Sequence, residues 1–291
     1  MSLLDDCDFP APGTPVTLAV SGGPDSLGLL LLAQDAGLRV TVHHVDHHAR
    51  ATSTDDAHFV VQVARRGGVE CIVHDVPVST GANFEARARA ARRRALPKGT
   101  LTGHTMDDVA ETVLLNMLRG AGLEGLSPMV GDVTKPLRGL RRRTLHDFVA
   151  ASGLVARVDE TNASPLFRRN RVRHDLVPVM NDVAGRDVVP LLVRQAGVLF
   201  DVGVWLEDVA GADHEVSLGE ADCRVLSTWP RARLTRWLRL RLATATSEGE
   251  TYPPSLEEIE RVLRVVRGEV SACELSGGRR LSRRAQRLTL D

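Results

Sequence analysis

Apolar runs alternate with helix-like segments through the first half of the chain. Residues 16–20, VTLAV, and 39–45, RVTVHHV, have the β-branched and apolar character of buried strands. Runs at 70–76 and 100–104 repeat this character, and helical patterns fill the intervals. Because strands that alternate with helices form parallel sheets with right-handed crossovers, the pattern predicts an α/β fold with a doubly wound parallel sheet.

The pattern becomes mostly helical in the last third of the chain. Helices are predicted at about 188–210, 231–245 and 255–268, followed by a hairpin around Gly277 and Gly278. We therefore predict an α/β domain at 1–185 and a small, mostly helical domain at 186–291. Trp205, Trp237 and Leu238 have helical core spacing, which predicts that they pack inside the second domain.

Composition narrows the class of protein. Of the 291 residues, 43% are hydrophobic and 25% are charged, which is ordinary for a soluble globular protein. No apolar run reads as long enough to cross a bilayer, and the N-terminus lacks the basic start of a secretory signal. The four cysteines are far apart. We expect a cytoplasmic protein with reduced thiols and no membrane association.

Charge is balanced overall but unevenly distributed. The first 80 residues hold four arginines and ten acidic residues, so the basic surplus lies downstream. Arginine-rich runs occur at 87–94, 138–143, 167–174 and 231–241. These runs could contact nucleic-acid phosphates, or they could form an ordinary solvated surface.

The sequence SGGPDS, Ser21 to Ser26, occupies the predicted turn between the first strand and the first helix. Backbone N–H groups in such a turn, together with the helix N-terminus, favour an anion. Ser21 and Ser26 can add hydroxyl donors, and Asp25 can either cap the helix or hold a divalent cation. A structural glycine turn is the alternative. The glycine spacing and terminal lysine of the common phosphate loop are absent.

Several motifs together resemble one enzyme family. SGGPDS after a first parallel strand resembles the pyrophosphatase loop of the N-type ATP pyrophosphatases. HVDHHAR (44–50), GHTMDDVAET (103–112) and DETNASPLFRRNRVRHDLVP (159–178) are similar to the tRNA(Ile)-lysidine synthetases. The resemblance implies that ATP adenylates the wobble cytidine of tRNA(Ile), and that the ε-amine of free lysine then displaces AMP to form lysidine. It also implies that 1–185 is the N-type ATP pyrophosphatase catalytic domain and that 186–291 is a tRNA-recognition domain.

The resemblance also implies a nucleotide site. ATP and Mg²⁺ are expected at Ser21, Gly22, Gly23, Pro24, Asp25 and Ser26, with Asp25 as the metal ligand and Asp46 near the adenosine. The adjacent His47 and His48 point in different directions on extended backbone, so we do not expect a metal there.

Catalytic and substrate-binding residues are implied in the same way. Asp108 and Glu111 share one face of a helix at a strand end, where they could orient the lysine ammonium and receive its proton. His104 and Arg89, with Arg92 as a second choice, are expected to face the active site. Arg169, Asn170 and Arg173 are expected either to bind phosphates of the anticodon region or to fix the loop over the crevice. Asp107 is predicted only to complement the helix dipole.

Two other functions remain open from sequence. A sulfur-inserting tRNA enzyme could share the ATP loop but would need catalytic or cluster-binding cysteines, and the chain has no Cys-x-x-Cys pattern. A nucleotide-binding regulator would not need the acidic pair. The oligomeric state is also open, with a homodimer as one alternative. Lys135 and Arg93 depart from the family pattern, which has arginine and an aromatic residue there.

Overall fold

The computed structural model describes residues 2–48, 53–79, 81, 84–157, 167–209, 217–245 and 251–291. The chain forms two compact units, Met1–Asp201 and Val202–Asp291. This division falls inside a long helix, Val189–Val209, and therefore comes later than the predicted boundary at 185. The first half of that helix contributes Val189 and Leu192 to a core cluster of the first unit.

The first unit contains a parallel sheet of three strands in the order β1-β2-β3. The strands are β1 (Pro15–Ala19), β2 (Arg39–Asp46) and β3 (Glu70–Asp75). The helices are α1 (Pro24–Asp35), α2 (Ser53–Arg66), α3 (Phe84–Ala95), α4 (Met106–Met117), α5 (Arg142–Ala151), α6 (Arg168–Arg171), α7 (Val177–Ala184) and α8 (Val189–Val209). The prediction of a parallel α/β fold is confirmed.

The predicted fourth strand is reduced to one parallel bridge between Leu18 and Leu101. The Ala19 N–H donates to the Leu101 carbonyl at 2.9 Å, and the Leu101 N–H donates to the Thr17 carbonyl at 2.8 Å. Since β2 pairs with the other edge of β1, the strand order reverses at β1. Ligands of open α/β sheets bind beyond the carboxyl ends of the strands at such a reversal.

Helix α1 is apolar on nearly all sides because it is enclosed by the sheet and by α5. Leu27, Leu29, Leu30 and Leu32 are each at most 1% exposed. Helix α5 packs on α1 through the fully buried Leu145. This packing holds the polar residues of α5 near the loop that precedes α1.

A second core cluster joins α4 to the segment that follows residue 167. Val109 and Val113 of α4 pack with Val172 and Leu192. A turn of π-helix, Val172–Leu176, links α6 to α7. Such π turns occur frequently at functional sites because they redirect side chains within a helix.

The second unit combines helices with small antiparallel sheets. Its elements are α9 (Cys223–Leu226), α10 (Arg231–Arg241), β4 (Thr244–Ala245), β5 (Thr251–Tyr252), α11 (Leu256–Arg267), β6 (Ala272–Glu274), β7 (Arg280–Arg284) and β8 (Arg287–Leu290). The predicted hairpin is confirmed, since β6 pairs with β7 across Gly277 and Gly278. Trp237 and Leu238 lie in the core as predicted.

The prediction that Trp205 packs in this core is wrong. Its side chain is 62% exposed, and no described residue of α8 belongs to the core of the second unit. That core is built from α9, α10, α11 and the β6-β7-β8 sheet. The helical spacing of apolar residues therefore indicated a helix correctly, but it did not determine whether Trp205 is buried.

Many arginines in the predicted phosphate-contacting runs make intramolecular ion pairs. Arg138 pairs with Asp8 at 2.7 Å, and Arg141 pairs with both Asp107 and Asp187. In the second unit Arg231 pairs with Glu260, and Arg236 pairs with Glu207. These arginines thus serve the protein's own packing. Asp107 was predicted only to complement the helix dipole, but it also forms an ion pair with Arg141.

Over Val189–Asp208, helix α8 has the length and the apolar composition of a helix that could span a membrane. The expectation that no segment has this length and composition is therefore wrong. The mean hydropathy of the segment is 1.4, and 17% of it is buried. Arg194 and Asp201 interrupt it, and a single helix of this kind is weak evidence for a span.

Candidate active site

A cavity of about 530 Å³ opens beyond the carboxyl ends of the strands in the first unit. One wall is the turn after β1, including Ser21, Gly23, Pro24 and Asp25. The remaining walls contribute Ala19, His43, Val45, Arg92, His104, Asp108, Arg142, His146, Arg157 and Arg173. The cavity therefore brings several sequence-predicted residues together, and it adds others that the motifs did not indicate.

The turn has the geometry of an anion site. Helix α1 begins at Pro24 with Gly23 as its N-cap, and no side chain caps its first amides. The Ser21 N–H donates to Ser26 Oγ at 3.1 Å, and the Ser26 hydroxyl donates to the Gly23 carbonyl at 2.9 Å. Ser26 therefore braces the turn internally, because its hydroxyl hydrogen is already used within the loop.

Asp25 does not cap the helix, since α1 has no side-chain cap. Its side chain is 35% exposed and lines the cavity. Asp25 Oδ1 lies 2.8 Å from His146 Nε2, and Oδ2 lies 3.7 Å from Arg142 Nε. Both partners are on α5, one helical turn apart, so the packing of α5 on α1 creates these contacts.

Glu111 is the centre of a carboxylate–arginine cluster. Its side chain is 2% exposed and does not line the cavity. Oε1 accepts from Arg142 Nη1 at 2.8 Å and from Arg173 Nε at 2.7 Å. Oε2 accepts from Arg169 Nε at 2.7 Å and from Arg173 Nη2 at 3.2 Å. Three arginines thus surround the carboxylate that was expected to orient lysine.

Asp108 belongs to the same cluster but also lines the cavity. Its Oδ2 accepts from the Thr105 N–H at 2.8 Å and from the Thr105 hydroxyl at 2.9 Å, which closes the start of α4. Its Oδ1 accepts from Arg142 Nη2 at 2.8 Å and from Arg169 Nη2 at 3.1 Å. Asp108 is therefore fixed in orientation at the cavity wall.

The cluster keeps Glu111 and Arg142 charged. Burial alone would raise the pKa of Glu111, but the hydrogen bond from Arg173 and the charges of Arg142, Arg173 and Arg169 lower it to about 2. Burial would lower the pKa of Arg142, but the carboxylates of Asp108 and Glu111 raise it above the ordinary value. A carboxylate held this way is a poor proton acceptor near neutral pH.

Arg142 was missed by the motif analysis because it lies in an arginine-rich run with no functional signature. Its two Nη atoms bind Asp108 and Glu111, while its buried Nε has no hydrogen-bond partner. An unsatisfied buried donor costs about 1–3 kcal/mol. A carboxylate oxygen, Asp25 Oδ2, lies 3.7 Å from Nε.

His104 lies at the cavity wall after the fourth strand segment. Its Nδ1 lies 2.8 Å from the Thr102 hydroxyl. Burial, together with the nearby cations Lys135, Arg169 and Arg89, lowers the pKa of His104 to about 4, although Asp108 opposes this shift. The imidazole is therefore neutral at pH 7.

The alternation of β2 places Asp46 differently from the expectation. His43 and Val45 line the cavity, so His44 and Asp46 point to the opposite face of the sheet. Asp46 is buried, and its Oδ1 accepts from the His48 N–H at 2.8 Å. Its carboxylate closes the turn after the strand, whereas His43 and Val45 line the cavity.

Helix α3 presents Arg92 to the cavity, whereas Arg89 is not among the lining residues. Partial burial and the neighbouring cations Arg93 and Arg169 lower the pKa of Arg89. Partial burial, with Arg89 and Arg93, does the same for Arg92. The second choice from sequence is therefore the better placed arginine.

The predicted substrate-binding residues are spread over α6 and the π turn. Arg173 lines the cavity, Arg169 contacts the acidic cluster behind it, and Asn170 is buried. These contacts favour the expectation that the segment is fixed over the crevice. The preceding DETNAS sequence lies outside the described residues.

Comparison with known proteins decides the family. Residues 4–180 match the model of the PP-loop domain. A tRNA(Ile)-lysidine synthase of Thermobifida fusca is 35% identical over 94% of this chain and 90% of its own length. One from Rhodococcus opacus is 36% identical over 82% of this chain and 77% of its own length. The chain belongs to the tRNA(Ile)-lysidine synthase family. It is accordingly an ATP-dependent ligase, as the motifs predicted.

A solved structure shares the fold of this lysidine synthase family member. The U34-tRNA thiolase NcsA of Methanococcus maripaludis, described with its [4Fe-4S] cluster, aligns with a TM-score of 0.55 and 17% identity. The alignment covers 68% of this chain and 77% of the thiolase. In the present chain all four cysteines are free thiols, and none lines the cavity. Burial raises the pKa of the Cys7 thiol to about 12, with help from Asp6 and Asp8.

Proposed function

We propose that this chain forms lysidine at the anticodon of tRNA(Ile) in two steps within the described cavity. In the first step the carbonyl oxygen on C2 of the wobble cytidine attacks the α-phosphorus of ATP. An oxygen–phosphorus bond forms, the bond from the α-phosphorus to the bridging oxygen breaks, and pyrophosphate leaves. In the second step the ε-amine of free lysine attacks C2, and AMP leaves with the oxygen. The observation that carries the proposal is that one cavity holds both the anion-binding turn and Asp108.

The turn and Arg142 serve the first step. The open amides at the start of α1 face charge that develops on the phosphates. The Arg142 guanidinium lines the cavity between Asp25 of this turn and Asp108, where the α-phosphate would meet the cytidine. A fixed donor at that position stabilises the transition state without needing to reorganise.

The residues present also fit a magnesium ion. Mg²⁺ takes oxygen ligands, usually one or two carboxylates together with substrate phosphates and waters. Asp25 provides one carboxylate beside the anion site, and no group of three or more candidate ligands occurs among the described residues. Asp25 would therefore hold the ion with the phosphates, where the ion would supply charge neutralisation for the leaving pyrophosphate.

Asp108 and His104 serve the second step. The free lysine amine has a pKa near 10.4, so it arrives as an ammonium and must lose a proton before it attacks. Asp108 attracts the ammonium at the cavity wall and is placed to receive its proton directly or through water, while the neutral imidazole of His104 can accept a hydrogen bond that orients the amine. Glu111 lies behind the cavity wall and acts indirectly. It binds Arg142 and Arg169, which also hold Asp108, and it binds Arg173 on the π turn.

The deciding experiment is a single-turnover reaction with unmodified tRNA(Ile) transcript and ATP labelled on the α-phosphate. With lysine omitted, we expect labelled adenylated tRNA and one equivalent of pyrophosphate. After lysine is added, mass analysis of the anticodon should show lysidine, with label released as AMP. Bound ATP without pyrophosphate release would identify a nucleotide-binding regulator instead, and sulfur incorporation would identify a thiolase.

A further inference from the structure

The PP-loop of this chain has no cation of its own. The sequence SGGPDS contains one acid and no lysine or arginine, although ATP brings a polyphosphate of several negative charges. Among the arginines that line the cavity, Arg142 and Arg173 bind the carboxylates of Asp108 and Glu111. Arg92 of α3 and Arg157 are the lining arginines outside this carboxylate cluster, so the charge that faces the terminal phosphates must come from one of these two.

Arg157 is attached directly to the loop. Its backbone N–H donates to the Gly22 carbonyl at 3.0 Å, so the chain after α5 returns to the turn that follows β1. Its side chain lines the same cavity as Ser21, Gly23 and Asp25. No motif in the sequence indicated this arginine.

The Arg157 guanidinium is held in place by two residues of α2. Its Cζ lies 5.0 Å from the centroid of the Phe59 ring, and its Nε lies 3.6 Å from Asp56 Oδ1. Phe59 also packs on the loop, because a Cβ built at Gly22 would lie 3.3 Å from Phe59 Cδ1. Loop glycine, aromatic ring and guanidinium thus form one stack at the edge of the cavity.

We propose that Arg157 binds the terminal phosphates of ATP and holds the pyrophosphate leaving group after the bond to the α-phosphorus breaks. This inference rests on the proposed function for its place in the reaction. The α-phosphate must lie toward Asp108 and Arg142 to meet the cytidine, which leaves the terminal phosphates at the loop beside Arg157. The planar guanidinium suits phosphate oxygens because it can donate two parallel hydrogen bonds.

The test compares ligands that differ only in the terminal phosphates. Binding of ATP, AMP and inorganic pyrophosphate, each with Mg²⁺, is measured by calorimetry on the full chain without tRNA or lysine. For Arg157→Ala we expect ATP and pyrophosphate to bind about tenfold more weakly, since a charge-assisted hydrogen bond contributes on this scale. AMP affinity should stay within about twofold. Arg157→Lys should recover part of the loss.

Two further variants make the result specific. Arg143→Ala removes an exposed arginine of α5 that does not line the cavity, and it should leave all three affinities unchanged. Phe59→Leu removes the ring beneath the guanidinium and should weaken ATP and pyrophosphate binding, but less than Arg157→Ala. Because no lysidine is formed in this assay, its outcome is independent of whether the wild-type chain completes the proposed reaction. Equal weakening of ATP and AMP, or no change in either, overturns the inference.

Discussion

Arg173 and Glu111, which are 62 positions apart, are joined by two hydrogen bonds: Nε donates to Oε1 at 2.7 Å and Nη2 donates to Oε2 at 3.2 Å. The pair connects the π turn after α6 to the middle of α4. Arg173 thereby binds the carboxylate that the sequence analysis expected to orient lysine. We therefore expect Glu111 to organise the site from behind, since Asp108 is the member of this acidic pair that lines the cavity.

Glu111→Gln tests this organising role. The substitution removes the buried carboxylate that three arginines share, and of these only Arg142 and Arg169 keep an ion pair with Asp108, so we expect a loss of about 3–5 kcal/mol in unfolding free energy. Urea denaturation measures this directly. Activity should fall at every lysine concentration, because the arginines and Asp108 lose their fixed positions. Unchanged stability with only a raised KM for lysine would show that Glu111 contacts the substrate.

Asp108→Asn should separate the two chemical steps. The amide keeps the size of the side chain but removes the charge that attracts the lysine ammonium. We expect adenylated tRNA to form while its conversion to lysidine slows by about a hundredfold or more. The measurement is the single-turnover assay with lysine added after the intermediate has formed. Asp107→Asn is the matched control, because Asp107 binds Arg141 and does not line the cavity. Equal losses in both steps would place Asp108 at ATP or cytidine instead.

Gly103→Ala should disturb the nucleotide loop without removing any polar group. A Cβ at Gly103 would lie 2.5 Å from the Asp25 carbonyl oxygen and 2.8 Å from its carbon, so the start of α1 must shift. Overpacking of this kind costs about 1–3 kcal/mol. We expect a lower melting temperature and a raised KM for ATP. Gly122→Ala is the control, since nothing lies within 4 Å of its Cβ position. Normal ATP binding in the Gly103 variant would mean that the loop tolerates the displacement.

His104 should make the folded state sensitive to acid. Burial, together with the nearby cations Lys135, Arg169 and Arg89, lowers its pKa from 6.5 to about 4, so the unfolded chain binds this proton more readily than the folded chain between those pH values. The stabilising contribution of the neutral imidazole is complete above pH 6.5 and declines as the pH falls toward 4. Its slope is at most about 1.4 kcal/mol per pH unit.

His104→Gln should remove that slope. Unfolding free energies of the variant and the wild type, measured from pH 7 to pH 4, should converge as the pH falls. Acid loss from Glu111 does not interfere, because its pKa of about 2 confines that loss to pH values below about 4.5. Parallel curves for the two proteins would show that His104 is not the titrating group.

The parallel α/β fold, the position of SGGPDS between a strand and a helix, and the family were all readable from the sequence. Alternation of apolar and polar residues is local, so it identified β1, β2 and β3 and located SGGPDS between a strand and a helix. The motifs around Asp108 and Arg173 were equally local. These features depend on neighbours within a few positions, which is the range over which sequence patterns report structure.

What surrounds each side chain was decided only by the tertiary structure. The three arginines on Glu111 come from α5, α6 and the π turn, at separations of 31 to 62 residues. The same long-range packing aims Arg142 Nε at the loop and returns Arg157 to Gly22. It also leaves Trp205 exposed. The residue type determines which bonds a side chain can make, but its actual partner depends on how helices that are distant in sequence pack together.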